Sequence, residues 1–295
     1  MTRKVAAATK SGVTKTARAK KTVSPKKTTV LPKQDLLSQI KIDLKHKNET
    51  QKKLTQSIKT GDVTVCIGPA GTGKTLLSVA EALLLLKTHP DKYHDIKLVK
   101  SIVQLKDEDL GTLPGDEKDK LKFIMMSFLD AFYQLIGEGL TTKLIEAGYI
   151  KMEVFGSVRG RSIPNCILLF DEFQNVNDGN AKTLLTRFSE NTKVVILGDT
   201  NQVDLKKKED SSLGELVKMV KLLPAEEGVS VVEFVEDDIV RHRLTKYFVR
   251  LFEHPDYKKK ERVTTKISDA IVTRQKTIKL NGSSFITKII KFFKK

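Results

Sequence analysis

The chain has 295 residues, 39% hydrophobic and 30% charged, with a net charge of +17 at pH 7. That apolar content makes a globular fold with a sizeable core the default, and no apolar run approaches the roughly 18 residues of a membrane span. The two cysteines and five histidines form no pair at metal-ligand or redox-motif spacing, which argues against a disulfide framework or a protein-held zinc site and suits buried thiols in a cytoplasmic setting.

Residues 1–33 carry ten Lys/Arg and no acid. They hold almost no large apolar side chain, so ordering them would bury too little surface to offset the lost entropy, and they read as a disordered basic tail. The tail is Lys-rich and lacks the apolar helical stripe of a mitochondrial presequence. Between 34 and 257, strand-like apolar runs alternate with segments of helical period, the pattern of an α/β domain with a mostly parallel sheet flanked by helices. Strands are expected at 63–67, 96–99, 151–155, 166–170, 194–197 and 229–235. Helices are expected at about 50–58, 74–86, 116–136, 180–189, 213–222 and 244–252. Phe123, Met125, Met126, Phe128, Phe132 and Tyr133 on the longest of these read as core packing. Residues 258–295 form a second basic tail, with twelve Lys/Arg against two acids. Without the tails, residues 34–257 hold 31 basic and 34 acidic residues, a net of −3, so the positive charge belongs to the two ends.

Gly68-Pro69-Ala70-Gly71-Thr72-Gly73-Lys74-Thr75 fits the phosphate-loop pattern and stands between an expected strand and an apolar helix, the context that pattern requires. Glycines let successive backbone N–H groups turn inward around phosphates. Lys74 adds a point charge at the β/γ oxygens, Thr75 offers a hydroxyl to Mg²⁺, and the helix N-terminus adds its partial positive charge. The run 167–170 ends in Asp171-Glu172. By itself an apolar run ending in two acids usually marks only a strand leaving the core. About a hundred residues after a phosphate loop it reads as the second NTPase element, with Asp171 holding the metal through water and Glu172 activating the attacking water. The expected strand 194–197 runs into Gly198-Asp199-Thr200-Asn201-Gln202, which alone is a polar turn, though the spacing also lets Gln202 reach a γ-phosphate.

Together these segments resemble the PhoH family, P-loop ATPases of RecA-like fold related to superfamily 1 helicases. The resemblance runs from about Asn48 to Phe252 and includes Asn48-Glu49-Thr50-Gln51, Leu110-Gly111-Thr112-Leu113-Pro114-Gly115-Asp116, Arg159-Gly160-Arg161-Ser162, Asp171 to Asn175, Leu185-Thr186-Arg187, Gly198 to Leu205 and Asp238 to His242. It implies ATP and Mg²⁺ as cofactors, adenine recognition by Gln51, nucleotide sensing by Gln202, and an arginine that meets the γ-phosphate, Arg241 first and Arg187 second. It also points to single-stranded RNA or DNA as partner and to a hexameric ring. Lys100-Ser101 departs from the family's arginine-proline at that place.

Fewer than a hundred residues follow Gln202, too few for a second motor domain beside a tail. A neighbouring subunit is then the natural source of an arginine finger, through head-to-tail interfaces. Free basic tails bind polyanions by counterion release without reading sequence. In the second tail Phe285, Ile286, Ile289, Ile290 and Phe293 fall at helical spacing among lysines, a short amphipathic helix that either docks or meets an acidic partner or an anionic membrane surface. Two other functions stay open: a small-molecule kinase, which needs an arginine-bearing lid and an acceptor pocket, and a polyanion-binding protein with a structural nucleotide site.

Overall fold

The computed structural model describes residues 33–101, 117–158, 162–205, 211–223 and 227–253. Nearly all of both basic tails lies outside these, as do the segments 110–116 and 159–161 and the apolar stripe at 285–293. Among the described residues there are six strands: β1 (Val63–Ile67), β2 (Asp95–Lys100), β3 (Ile150–Val154), β4 (Cys166–Asp171), β5 (Thr192–Gly198) and β6 (Val229–Glu233). They form one sheet in the order β3-β2-β4-β5-β1-β6, and every pairing is parallel. The central strands β4 and β5 are buried at every position, as a sheet covered on both faces requires.

Alternate side chains of these strands feed two cores. Ile96, Leu98, Ile167, Leu169, Val195 and Leu197 pack on one face, against α1 (Lys33–Ser38), α2 (Glu49–Thr60), α3 (Lys74–Thr88), α5 (Met126–Ile136) and α6 (Glu138–Glu146). Val99, Leu168, Phe170, Val194 and Ile196 pack on the other, with Phe173, α8 (Asp178–Leu185) and α9 (Ser212–Leu222). This period of two within continuous apolar runs is what lets a strand serve two layers at once. Cys66 and Cys166 are both buried and free.

The helix expected at 116–136 is two, α4 (Glu117–Ile124) and α5. The break falls at Met125, which leaves helical geometry (φ −86°, ψ 7°) with its side chain fully buried. Leu121 on α4 and Phe128 on α5 pack into the same core, so the hydrophobic period runs through the break without marking it. Gly137, at φ 77°, turns the chain from α5 into α6, which is not among the helices expected from the sequence. Strand β3 ends at Val154 and Phe155 opens the single-turn α7 (Phe155–Val158). Strand β6 stops at Glu233, after which Phe234 donates its N–H to the Ile67 carbonyl at 2.8 Å and the chain enters a 3-10 turn at Glu236–Asp238. The last helix, α10 (Arg243–Glu253), is tied to that turn by Lys246–Asp237 and Arg250–Glu236 ion pairs. Its Leu244, Tyr247, Phe248, Leu251 and Phe252 are exposed. Among the described residues no helix is long and apolar enough to cross a membrane.

Candidate nucleotide-binding site

Strands β4, β5 and β1 are neighbours, so their C-terminal ends bring the three sequence-predicted segments to one edge of the sheet. A cleft of about 510 Å³ opens there, the size of a small-ligand site. Its wall includes Gly71, Gly73, Lys74 and Thr75 after β1, Asp171 and Glu172 at the end of β4, and Asp199 and Gln202 after β5.

The loop after β1 depends on its glycines at two places. At Gly68 (φ 140°) a Cβ would stand 2.5 Å from the Phe234 carbonyl oxygen, so the chain leaving β6 can approach the loop only over a bare backbone. Gly73 adopts φ 91°, a left-handed turn that starts α3 at Lys74 in the cleft wall. The Thr72 hydroxyl donates to the Pro69 carbonyl at 3.1 Å and closes the loop on itself. Lys74 Nζ donates to the carbonyls of Gly68 and Pro69 at 2.6 and 2.8 Å. Burial pushes the Lys74 pKa down, against the opposing pull of Cys66, Asp199, Asp171 and Glu172. An ammonium so desolvated is stabilised by any anion delivered to the loop.

Asn48 caps α2 by accepting the Gln51 N–H at 2.8 Å. The Gln51 side chain is buried, donating through Nε2 to the Thr72 carbonyl at 2.9 Å and accepting from the Lys47 N–H at 2.7 Å. Gln51 therefore braces the loop from behind, while Lys47 beside it lines the cleft. The adenine contact implied by family resemblance is a separate role, and Gln51 is not among the residues that form the cleft wall.

Asp171 is 9% exposed, and its Oδ1 accepts the Glu172 N–H at 3.0 Å. Burial, and next the charge of Glu172, push its pKa up. Glu172 itself sits at φ 56°, ψ 37°, a conformation rare for a residue with a Cβ and common at functional turns. Parallel pairing of β2 with β4 sets Lys100 opposite Asp171. Its Nζ lies 3.9 Å from Glu172 Oε1 and 3.4 Å from Ser127 Oγ, and that hydroxyl donates to Asp171 Oδ2 at 3.4 Å. Beyond the acids, Gln202 Nε2 donates to Asp199 Oδ2 at 2.8 Å.

Arg241 lines the cleft, and its Cβ, Cγ and Cδ lie 3.2–3.3 Å from where a Gly71 side chain would begin. The Val240 N–H donates to the Gly71 carbonyl at 3.1 Å, so the chain presents Arg241 to its own loop. Arg187, just past α8, is exposed and outside the cleft wall. Four of the five predicted catalytic side chains thus converge and Arg187 does not. Ser127, Asp130 and Gln134 of α5 also line the cleft, and sequence reading missed them. Their signal was three polar residues at i, i+3 and i+7 in an otherwise apolar helix.

Thr75 and Asp171 both line the cleft and are oxygen donors, which suits a hard cation that also takes phosphate oxygens and water. Among the described residues no group of three or more His, Cys, Asp or Glu could hold a metal alone.

A parallel sheet with a phosphate loop after β1, an acid pair ending β4 and a polar turn after β5 is the core of a P-loop NTPase. The profile of the PhoH-like protein family matches residues 43–253, and the chain belongs to the PhoH family. It is 34% identical over 203 residues to a PhoH-like protein of Bacillus subtilis and 33% over 207 residues to one of Synechocystis, covering 69% and 70% of this chain. Against Protein PhoH of Escherichia coli it is 32% identical over 200 residues, 67% of this chain. The matched parts are 62%, 61% and 55% of those relatives, so the chain spans about three fifths of their length.

Proposed function

We propose that this chain binds ATP with Mg²⁺ in the cleft, hydrolyses it, and spends the cycle on single-stranded RNA or DNA in a helicase-like manner. The observation that carries the reading is one cleft wall shared by Lys74, Thr75, Asp171, Glu172 and Gln202 from the ends of three adjacent strands. The loop N–H groups and the start of α3 favour an anion, and Lys74 exchanges its two loop carbonyls for β/γ-phosphate oxygens. Thr75 and Asp171 would hold the magnesium, which supplies charge neutralisation on the phosphates when bound. Glu172 orients and deprotonates the attacking water, Gln202 reads the terminal phosphate, and Arg241 offers a positive charge beside Gly71.

Arg187, exposed and away from its own cleft, is the side chain available to a neighbouring copy. The apolar face of α10 is surface that an assembly would bury, which supports self-association; the hexameric ring itself rests on the family resemblance. The nucleic-acid reading is supported by 22 Lys/Arg in the two tails and by the likeness to superfamily 1 helicases.

The test measures ATP turnover of wild type, Glu172→Gln and Lys74→Ala, each with and without single-stranded RNA, single-stranded DNA and duplex. Both variants should lose at least about 10²-fold in rate, the scale of a lost base or phosphate donor. Equal rates for wild type and Glu172→Gln contradict the ATPase assignment. Stimulation that persists without residues 1–33 and 258–295 places the nucleic-acid site on the core; stimulation lost with the tails assigns it to them.

A further inference from the structure

Glu172 leaves β4 in a left-handed turn, and 40% of its side chain is exposed to the cleft, so the carboxylate needs partners to hold it. The fixing comes two residues later. Gln174, in the 3-10 turn Phe173–Asn175, is 1% exposed and outside the cleft wall. Its Nε2 donates to Glu172 Oε2 at 2.6 Å, and its Oε1 accepts the Asp199 backbone N–H at 3.2 Å. Only this orientation of the amide serves both partners, since a flipped group would set oxygen against carboxylate and NH₂ against N–H.

The neighbouring strand is built around that amide. A Cβ on Gly198 would stand 2.8 Å from Gln174 Oε1 and 2.5 Å from Leu213 Cδ2, so the last residue of β5 must be bare for Gln174 to lie between the strand ends. From Asp199 the hydrogen bonds continue: Oδ2 accepts from Gln202 Nε2 at 2.8 Å, and Oδ1 accepts the Asn201 N–H at 2.9 Å. A polar line therefore runs from Gln202 through Asp199 and Gln174 to Glu172. The middle of the line, the Gln174 amide and its bond to the Asp199 N–H, is buried and so held against competition from water, while Glu172 and Gln202 at its two ends face the cleft.

We propose that Gln174 is a positioning residue that fixes the Glu172 carboxylate and couples it to Gln202, so that the side chain sensing the terminal phosphate also sets the base. When Gln202 turns to a phosphate oxygen it releases Asp199 Oδ2, the Asp199 turn readjusts, and the Gln174 amide carries that change to Glu172 Oε2. The Lys100 ammonium, 3.9 Å from Oε1, is a looser second hold. This inference rests on the ATPase reading above.

The experiment compares kcat, KM for ATP and the Kd of a fluorescent ATP analogue with Mg²⁺ for wild type, Gln174→Met, Gln174→Asn, Gln202→Ala, Glu172→Gln and the double variant Gln174→Met/Gln202→Ala. Methionine keeps the volume without the amide; asparagine keeps the amide but falls one methylene short. Each Gln174 variant should lose about 10- to 100-fold in kcat, as supporting-shell changes do, with KM and Kd within about twofold of wild type. The double variant should be no slower than its slower parent, because both substitutions cut one line. If Glu172→Gln turns over like wild type, the ATPase reading falls. If Glu172→Gln is inactive while Gln174→Met keeps wild-type kcat, or the two effects multiply, the coupling is overturned. Loss of nucleotide binding in both Gln174 variants makes the residue structural and overturns it equally.

Discussion

Asp171 destabilises the fold that places it. Its carboxyl is nearly buried beside Glu172, and burial and then that like charge raise its pKa above the ordinary carboxylate value. A carboxyl whose folded pKa exceeds its unfolded one, about 3.9, loses native stability as pH rises from the unfolded value through the folded one. The penalty is absent below about pH 3 and grows as pH rises, until it is complete above the folded pKa. Asp171→Asn should therefore raise the Tm of the nucleotide-free protein at pH 7, leave it unchanged near pH 3, and abolish magnesium-dependent turnover; a lower Tm at pH 7 contradicts the assignment. The residues readable beforehand, Gly68 to Thr75 and Asp171-Glu172, share one property: their chemistry is local to a strand end. Lys100 was readable only as a departure from a family pattern, because its proximity to Glu172 comes from β2 lying next to β4. Ser127 and Gln174 were hidden for the same reason, since each gains meaning from a strand or helix distant in sequence.

Elements behave similarly. All six strands were legible because a parallel sheet covered on both faces writes itself as uninterrupted apolar runs; β1 matches end to end and the other five differ by one or two residues at their ends. Helix breaks were not legible: Met125 divides the one period expected at 116–136 into α4 and α5, and periodicity carries no term for direction. Helix α2 has a mechanical task beyond its packing. Asn48 caps it, and the first turn so formed delivers Gln51 to the Thr72 carbonyl, while Asn48 Nδ2 reaches the Asp238 carbonyl at 3.4 Å. Asn48→Ala should cost about 1 kcal/mol in urea unfolding, the ordinary loss of an N-cap. It should also weaken ATP binding, because the brace behind the loop loosens with the cap. Asn177→Ala removes a comparable cap from α8, where the side chain accepts the Asn180 N–H at 2.9 Å, and should leave nucleotide affinity unchanged at a similar loss of stability. Equal affinities for the two variants contradict a mechanical role for α2.

At the scale of the assembly the two candidate arginines separate by position, which the sequence did not reveal. Arg241 lies over Gly71 of its own chain, whereas Arg187 is exposed beyond the cleft wall. An arginine acting in cis is inactivated together with its own subunit; one acting in trans disables the neighbour's site. In a head-to-tail ring each site is heterologous, made from two different faces of adjacent copies. On the proposed ring, Arg187→Ala and Glu172→Gln proteins, each inactive alone, should regain activity when dissociated, mixed in equal amounts and reassembled. Random mixing joins an intact Glu172 to an intact Arg187 at about one interface in four, so roughly a quarter of wild-type turnover is expected. Arg241→Ala mixed with Glu172→Gln should regain none of that quarter, because Arg241 and its loop belong to one chain. The loss from removing a finger is about 10³- to 10⁵-fold, so a quarter recovered stands far above the residual rate of either parent. No recovery in the Arg187→Ala mixture, with mixed rings verified by native mass spectrometry, removes Arg187 from the site. Recovery in the Arg241→Ala mixture instead makes Arg241 the residue supplied across the interface.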